Sequence, residues 1–165
     1  QTMASIHEQL YRSTNLAKID MAKYITGLVE KLYYAYSFAD IQVKFDLGEV
    51  KLSIDQAIPC GLILNDLVTN AFKYAFNSDS PAPRTINISL NENGYLPGVD
   101  AKQAIYTMKV SDNGIGLPAG MDMETSRSLG WRLVNGLIGQ LHGQLAVESA
   151  PGAGVCFTLV FPSAE

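Results

Sequence analysis

The chain has 165 residues, twelve basic and sixteen acidic, for a formal net charge of −4. With 47% hydrophobic and 17% charged residues it can bury the core of one domain and is too apolar for a disordered chain. The acidity speaks against nucleic acid as a partner, no apolar run approaches the roughly 20 residues of a membrane span, and two cysteines are too few for a disulfide scaffold or a common zinc site.

In chain order, residues 1–10 lack the charged-then-apolar layout of a signal peptide, and residues 3–11 read as a helix. Asp20 is placed to cap a helix to about residue 36, with Ile25, Leu28, Val29 and Leu32 at helical spacing. Ile41, Val43, Phe45 and Leu47 alternate with polar residues, as do Val50, Leu52 and Ile54, which predicts two strands turning at Gly48 and Glu49. Asp55 reads as the cap of a long helix to about residue 76, with Pro59 in its first turn. Strands are expected at 86–90 and 105–111, with a loop over 91–103, and the Gly- and Ser-rich stretch 112–127 has no period. A helix over 128–142 stops at Gly143, and strands at 145–148 and 155–161 close the chain. Cys60 and Cys156 lie in apolar runs, which predicts buried thiols in a reducing compartment. The pattern is a two-layer α/β (α+β) sandwich: a mixed, largely antiparallel sheet with helices packed on one face.

Four segments carry chemistry. In Asn65-Asp66-Leu67-Val68-Thr69-Asn70-Ala71-Phe72-Lys73-Tyr74, about 100° per residue places Asp66, Asn70, Lys73 and Tyr74 on one stripe. A solvated helix face is the ordinary explanation, yet the stripe unites a carboxylate, a carboxamide, an ammonium and a phenol. These groups suit a hard cation, a phosphate and a nucleotide ring. Asp112-Asn113-Gly114-Ile115-Gly116-Leu117-Pro118 follows a strand, as a plain turn or as backbone kept close to a ligand. Ser128-Leu129-Gly130-Trp131-Arg132-Leu133-Val134 opens a helix, whose free N–H groups suit a phosphate. Gly152-Ala153-Gly154-Val155-Cys156-Phe157-Thr158 reads as a hairpin, with Thr158 able to face a pocket.

The order and spacing of these segments resemble the catalytic, ATP-binding domain of sensor histidine kinases of two-component systems. That superfamily includes the ATPase domains of gyrase, a heat-shock chaperone and mismatch-repair proteins. Asp66–Tyr74 is similar to its N box, 112–118 and 129–134 to its two glycine boxes, and 152–158 to its closing Gly-x-Gly strand. Residues 3–11 and 57–64 resemble the subfamily with variant dimerisation helices.

The resemblance implies a Bergerat-type ATP-binding fold over 19–165, with 1–18 as the tail of the dimerisation and phosphoacceptor helices. It implies ATP and Mg²⁺ as cofactors, with Asn70 as the metal ligand and Lys73 on a phosphate. Tyr74 packs near the nucleotide, and Asp66 stands where relatives commonly carry glutamate as the base. Asp112 would accept a hydrogen bond from the adenine amino group, Gly114 and Gly116 would let the chain pass close to the base and ribose, Gly130 with its helix N-terminus would meet the phosphates, and Leu129 and Thr158 would also contact the nucleotide. Residues 119–128 would form a lid. Trp131 departs from the usual aliphatic residue and reads as a core or lid-packing aromatic. The two histidines, His7 and His142, lie outside an acceptor motif, so this chain is expected to bind ATP without labelling itself. Its partners would be the dimerisation domain of the same, dimeric protein and a response regulator, in the cytoplasm. A nucleotide-binding interaction module with little turnover and a hydrolytic ATPase are the alternatives.

Overall fold

The computed structural model describes residues 18–36, 40–96, 103–121 and 128–164. The helix expected over 3–11, His7 and the tail assigned to 1–18 fall outside them, Lys18 apart; so do 122–127 of the expected lid.

Among the described residues there are seven strands and three helices: β1 (Ile19–Asp20), α1 (Met21–Tyr36), β2 (Ile41–Leu47), β3 (Lys51–Leu52), α2 (Ile54–Tyr74), β4 (Arg84–Tyr95), β5 (Ala104–Asp112), α3 (Leu129–Gln140), β6 (Gln144–Ala150) and β7 (Gly154–Pro162). β2, β4, β5, β7 and β6 form one sheet in that order, with β2 parallel to β4 and the other pairs antiparallel. α2 packs between α1 and α3 and lies against β5. The mixed two-layer architecture expected from the sequence is the one observed.

The core follows from period-two alternation meeting helical stripes. Ile86, Ile88 and Leu90 on β4, Met108 and Val110 on β5, and Leu159 and Phe161 on β7 are buried beneath α2, which contributes Ile63, Leu64, Leu67 and Val68. The Asp20 carboxylate accepts from the N–H groups of Ala22 and Lys23, so it caps α1 as expected.

Several local readings need correction. β2 and β3 do not form a hairpin: β3 pairs with β1 in a separate ribbon, and β2 lies parallel to β4 across the α2 crossover. Gly48 donates its N–H to Leu90 on β4, while Met21 donates to Val50, so the chain leaves the sheet at the supposed turn. The loop expected from residue 91 is instead the outer end of β4, paired to β5 through Tyr95 with a register shift. Its residues 92–95 are exposed, so no buried face imposed alternation there. Ser53, not Asp55, holds the N-cap of α2, which ends at Tyr74 with Pro59 inside the helix. At the end of α3 the left-handed position is taken by His142 (φ 51°), not Gly143. His142 donates to Gly139, and Gly143 to Ile138, the paired bonds of a Schellman cap. Cys60 is buried as expected, but Cys156 is only half-buried, with its sulfur near Thr158.

Candidate functional site

Asp112 owes its environment to its place in a row. Cross-strand partners put Tyr106, Met108, Val110 and Asp112 on one face of β5, with Ile86 of β4 opposite Asp112. Three apolar members of that row face the helices, and the fourth is a carboxylate. Burial pushes its carboxyl above the usual 3.8, against the N–H groups of Gly114 and Val155, which favour the charged form. Gly114 donates to Oδ1 at 2.9 Å.

The loop after β5 is held from several sides. Asn113 accepts from the Thr85 N–H at 2.8 Å and donates Nδ2 to the Pro83 carbonyl at 2.8 Å. Ile115 donates to the Ala75 carbonyl at the end of α2, and Leu117 to Ser149 Oγ on β6. A Cβ on Gly114 would collide with the Ala75 carbonyl, and one on Gly154 (φ 79°) with the Asp112 carbonyl. These glycines are therefore required first by backbone packing against backbone. Asn113 is a fastener that sequence reasoning missed, because its partners lie far off along the chain.

Beside this loop is a cavity of about 560 Å³. Its apolar walls include Leu67, Val110, Ile115 and Phe157, and its polar members are few: Asp112, Asn70, Tyr74 and Ser128. Gly116 lines it as well, so α2, the loop and the residue before α3 converge on one space. Tyr74 is 68% exposed, which leaves its ring at the mouth.

The remaining stripe of α2 extends from the cavity. Asn70 donates Nδ2 to Asp66 Oδ2 at 3.3 Å. Asp66 is half-buried, and desolvation raises its carboxyl while Asn70 and Lys73 oppose the shift. Lys73 is exposed, and its Nζ lies 5.6 Å from the centre of the Tyr36 ring. Gly130 opens α3 beside Asp66: a Cβ there would stand 3.6 Å from Asp66 Oδ1. Ser128 caps α3, accepting from the Trp131 N–H at 3.3 Å. Trp131 is buried, as its reading as a packing aromatic requires.

One assignment changes. Thr158 alternates with Val155, Phe157, Leu159 and Phe161, and it is Val155 and Phe157 that face the cavity. Thr158 lies on the opposite face of the sheet, because the apolar row belongs inside. Leu129, whose side chain is 74% exposed, stands with Gly130 in the first turn of α3, outside the cavity lining that Ser128 joins.

Residues 55–165 match the family described as histidine kinase-, DNA gyrase B-, and HSP90-like ATPase. The chain belongs to that family. Residues 1–36 match a second family, described as histidine kinase, which therefore continues through α1. Sensor histidine kinase PdtaS of Mycobacterium tuberculosis is 30% identical over 118 residues, covering 71% of this chain and 21% of that protein. The PdtaS of Mycolicibacterium smegmatis is 28% identical over 113 residues, 67% of this chain and 20% of that protein. The chain thus spans about a fifth of the length of these curated relatives. The histidine kinase domain of the Erythrobacter litoralis blue-light activated histidine kinase superposes with a TM-score of 0.77 at 21% identity, covering 98% of this chain and 73% of that one. Mycobacterial sensor histidine kinase MprB superposes at 0.64 with 19% identity, covering 88% and 95%. At these identities the structures establish the shared fold.

Proposed function

We propose that this domain binds Mg·ATP in the cavity over Asp112 and that, within a longer protein, it delivers the γ-phosphoryl group to a histidine on a dimerisation helix. The observation that carries the reading is a lone desolvated carboxylate at the floor of an apolar space. Its acceptor capacity beyond the loop's N–H bonds is turned to a largely apolar space, which suits an aromatic ring that brings its own amino donor. Adenine does so. Guanine presents a carbonyl oxygen there, and an unpaired polar contact costs about 1–3 kcal/mol.

The residues at the rim fit the rest of the nucleotide. Among the described residues, no three His, Cys, Asp or Glu side chains group to cage a metal. Mg²⁺ needs no such cage, since it keeps waters and takes phosphate oxygens. With Nδ2 engaged by Asp66, the Oδ1 of Asn70 remains the acceptor for it. When bound, Mg²⁺ would neutralise phosphate charge. Lys73 adds a second cation on the same stripe, and the first N–H groups of α3 beside Gly130 offer donors to phosphate. Asp66 is the base: burial raises its proton affinity, as a group that must accept an imidazole proton requires. Pro118 and Met121, which line the cavity, mark the side on which the expected lid would meet the nucleotide, and the match of residues 1–36 to a histidine kinase family supports reading 1–18 as the end of the dimerisation helices. The longer protein is a cytoplasmically active dimer that passes the phosphoryl group to a response regulator.

The test supplies a nucleophile in trans. The chain is incubated with γ-labelled Mg·ATP and a separately made acceptor helix pair. Acid-labile, base-stable phosphate should accumulate on the helix pair. Tight Mg·ATP binding without any transfer would leave a nucleotide-binding module and remove the kinase.

A further inference from the structure

Lys73 has an aromatic support that the stripe on α2 does not supply. Tyr36 is the last residue of α1, far from Lys73 in sequence, and its ring lies under the ammonium at 5.6 Å from centroid to Nζ. That ring is itself fixed: it stacks on Phe72 with centroids 6.2 Å apart and planes 22° apart. Phe72 is only 3% exposed, and it also meets Tyr33 edge-on at 6.1 Å. An exposed lysine ordinarily spreads over many rotamers, and holding it costs side-chain entropy when it meets a ligand. Here a buried phenylalanine anchors a tyrosine, and the tyrosine's ring face attracts the cation.

We propose that Tyr36 is a positioning residue, whose ring holds the Lys73 ammonium ready for a nucleotide phosphate. The inference rests on the Mg·ATP reading of the cavity and adds a residue to it. Tyr36 acts through Lys73, which follows Asn70 by three residues and Asp66 by seven on α2 and so shares their face of the helix. The recognised chemistry is a phosphate group, so the effect belongs to ATP and is absent from adenosine.

The experiment is a double-mutant cycle on the full chain, read by calorimetric titration with Mg·ATP and with adenosine. A cation–π contact at an exposed site is worth about 0.5–1 kcal/mol, so Tyr36→Leu should weaken Mg·ATP binding about two- to fivefold. Adenosine affinity should stay unchanged, which also shows that the variant is folded. Tyr36→Phe, which keeps the ring, should bind like the wild type. In a Lys73→Met background, Tyr36→Leu should have no further effect. The inference is overturned if Tyr36→Leu costs the same with and without Lys73, if adenosine weakens in step with ATP, or if Tyr36→Phe is as poor as Tyr36→Leu. A wild-type chain that binds adenosine and ATP equally would remove the phosphate role of Lys73 itself. One that binds neither would overturn the nucleotide reading instead.

Discussion

Asn70 and Asp66 are joined by a 3.3 Å hydrogen bond one turn apart on α2, the carboxamide donating to the carboxylate. With Nδ2 turned to Asp66, Oδ1 is the end of Asn70 that the proposed Mg²⁺ would meet. The bond also ties the proposed metal ligand to the proposed base.

Breaking that pair gives the first prediction. Asn70→Ala removes the acceptor, and Asn70→Asp replaces a donor with a second carboxylate beside Asp66. Position 70 is exposed, so stability should change by no more than about 0.5 kcal/mol for the alanine variant. Mg·ATP affinity should fall at least about tenfold, equivalent to 1.4 kcal/mol. Calorimetric titration with and without Mg²⁺ checks this; a folded variant with wild-type affinity would sink the metal-ligand role.

The second prediction is a pH dependence. Asp66 and Asp112 both have carboxyls raised above 3.8, in each case mainly by burial. The folded protein therefore holds these protons more tightly than the unfolded chain. Their contribution to stability is fully present below the unfolded value and is lost as pH rises through the folded value. Asp112→Asn removes the buried charge and keeps an acceptor for Gly114. Without nucleotide, its melting temperature at about pH 7.5 should equal or exceed that of the wild type, with any gap closing in acid as the native carboxyl protonates. A variant less stable at neutral pH, by a margin unchanged in acid, would contradict the desolvation argument.

Glycines at the loop and on α3 should respond in opposite directions. Gly154→Ala forces a side chain onto the Asp112 carbonyl at a left-handed φ of 79° and should cost at least about 2 kcal/mol. Gly136→Ala, inside α3 with open space around its Cβ position, should stabilise by about 0.5–1 kcal/mol. Urea unfolding of the two variants measures both.

The histidine inventory yields the fourth prediction. His142 follows the far end of α3, and twelve helical residues put it about 18 Å along the axis from the end that opens beside Asp66. Phosphoryl transfer requires near-contact alignment, so His142 should carry no label after incubation with γ-labelled Mg·ATP. Stoichiometric acid-labile phosphate there would place the acceptor inside this chain.

Much of this site was legible because helical spacing is a rigid ruler. Asp66, Asn70 and Tyr74 share a face by arithmetic alone, and Asp20 announces the start of α1. Strand pairing was not legible. Alternation in Ile41 and Val43 tells which face turns to the core but not which strand is adjacent, so the parallel β2–β4 pairing stayed hidden. Thr158 was a recoverable error: extending the row back to Val155 and on to Phe161 fixes the inward phase and turns the threonine away from the cavity. Tyr36, Asn113 and Ser149 act on partners distant in sequence, and no local pattern announces such contacts.

The central claim is that Asp112 reads an adenine ring. The most direct measurement is paired titration of the wild-type chain and Asp112→Asn with Mg·ATP and Mg·GTP. The wild type should prefer ATP by about fivefold or more, since an unpaired guanine carbonyl against the carboxylate costs about 1–3 kcal/mol. Asp112→Asn, which can donate as well as accept, should bind ATP more weakly and narrow that gap. Equal affinity of the wild type for ATP and GTP would contradict the account.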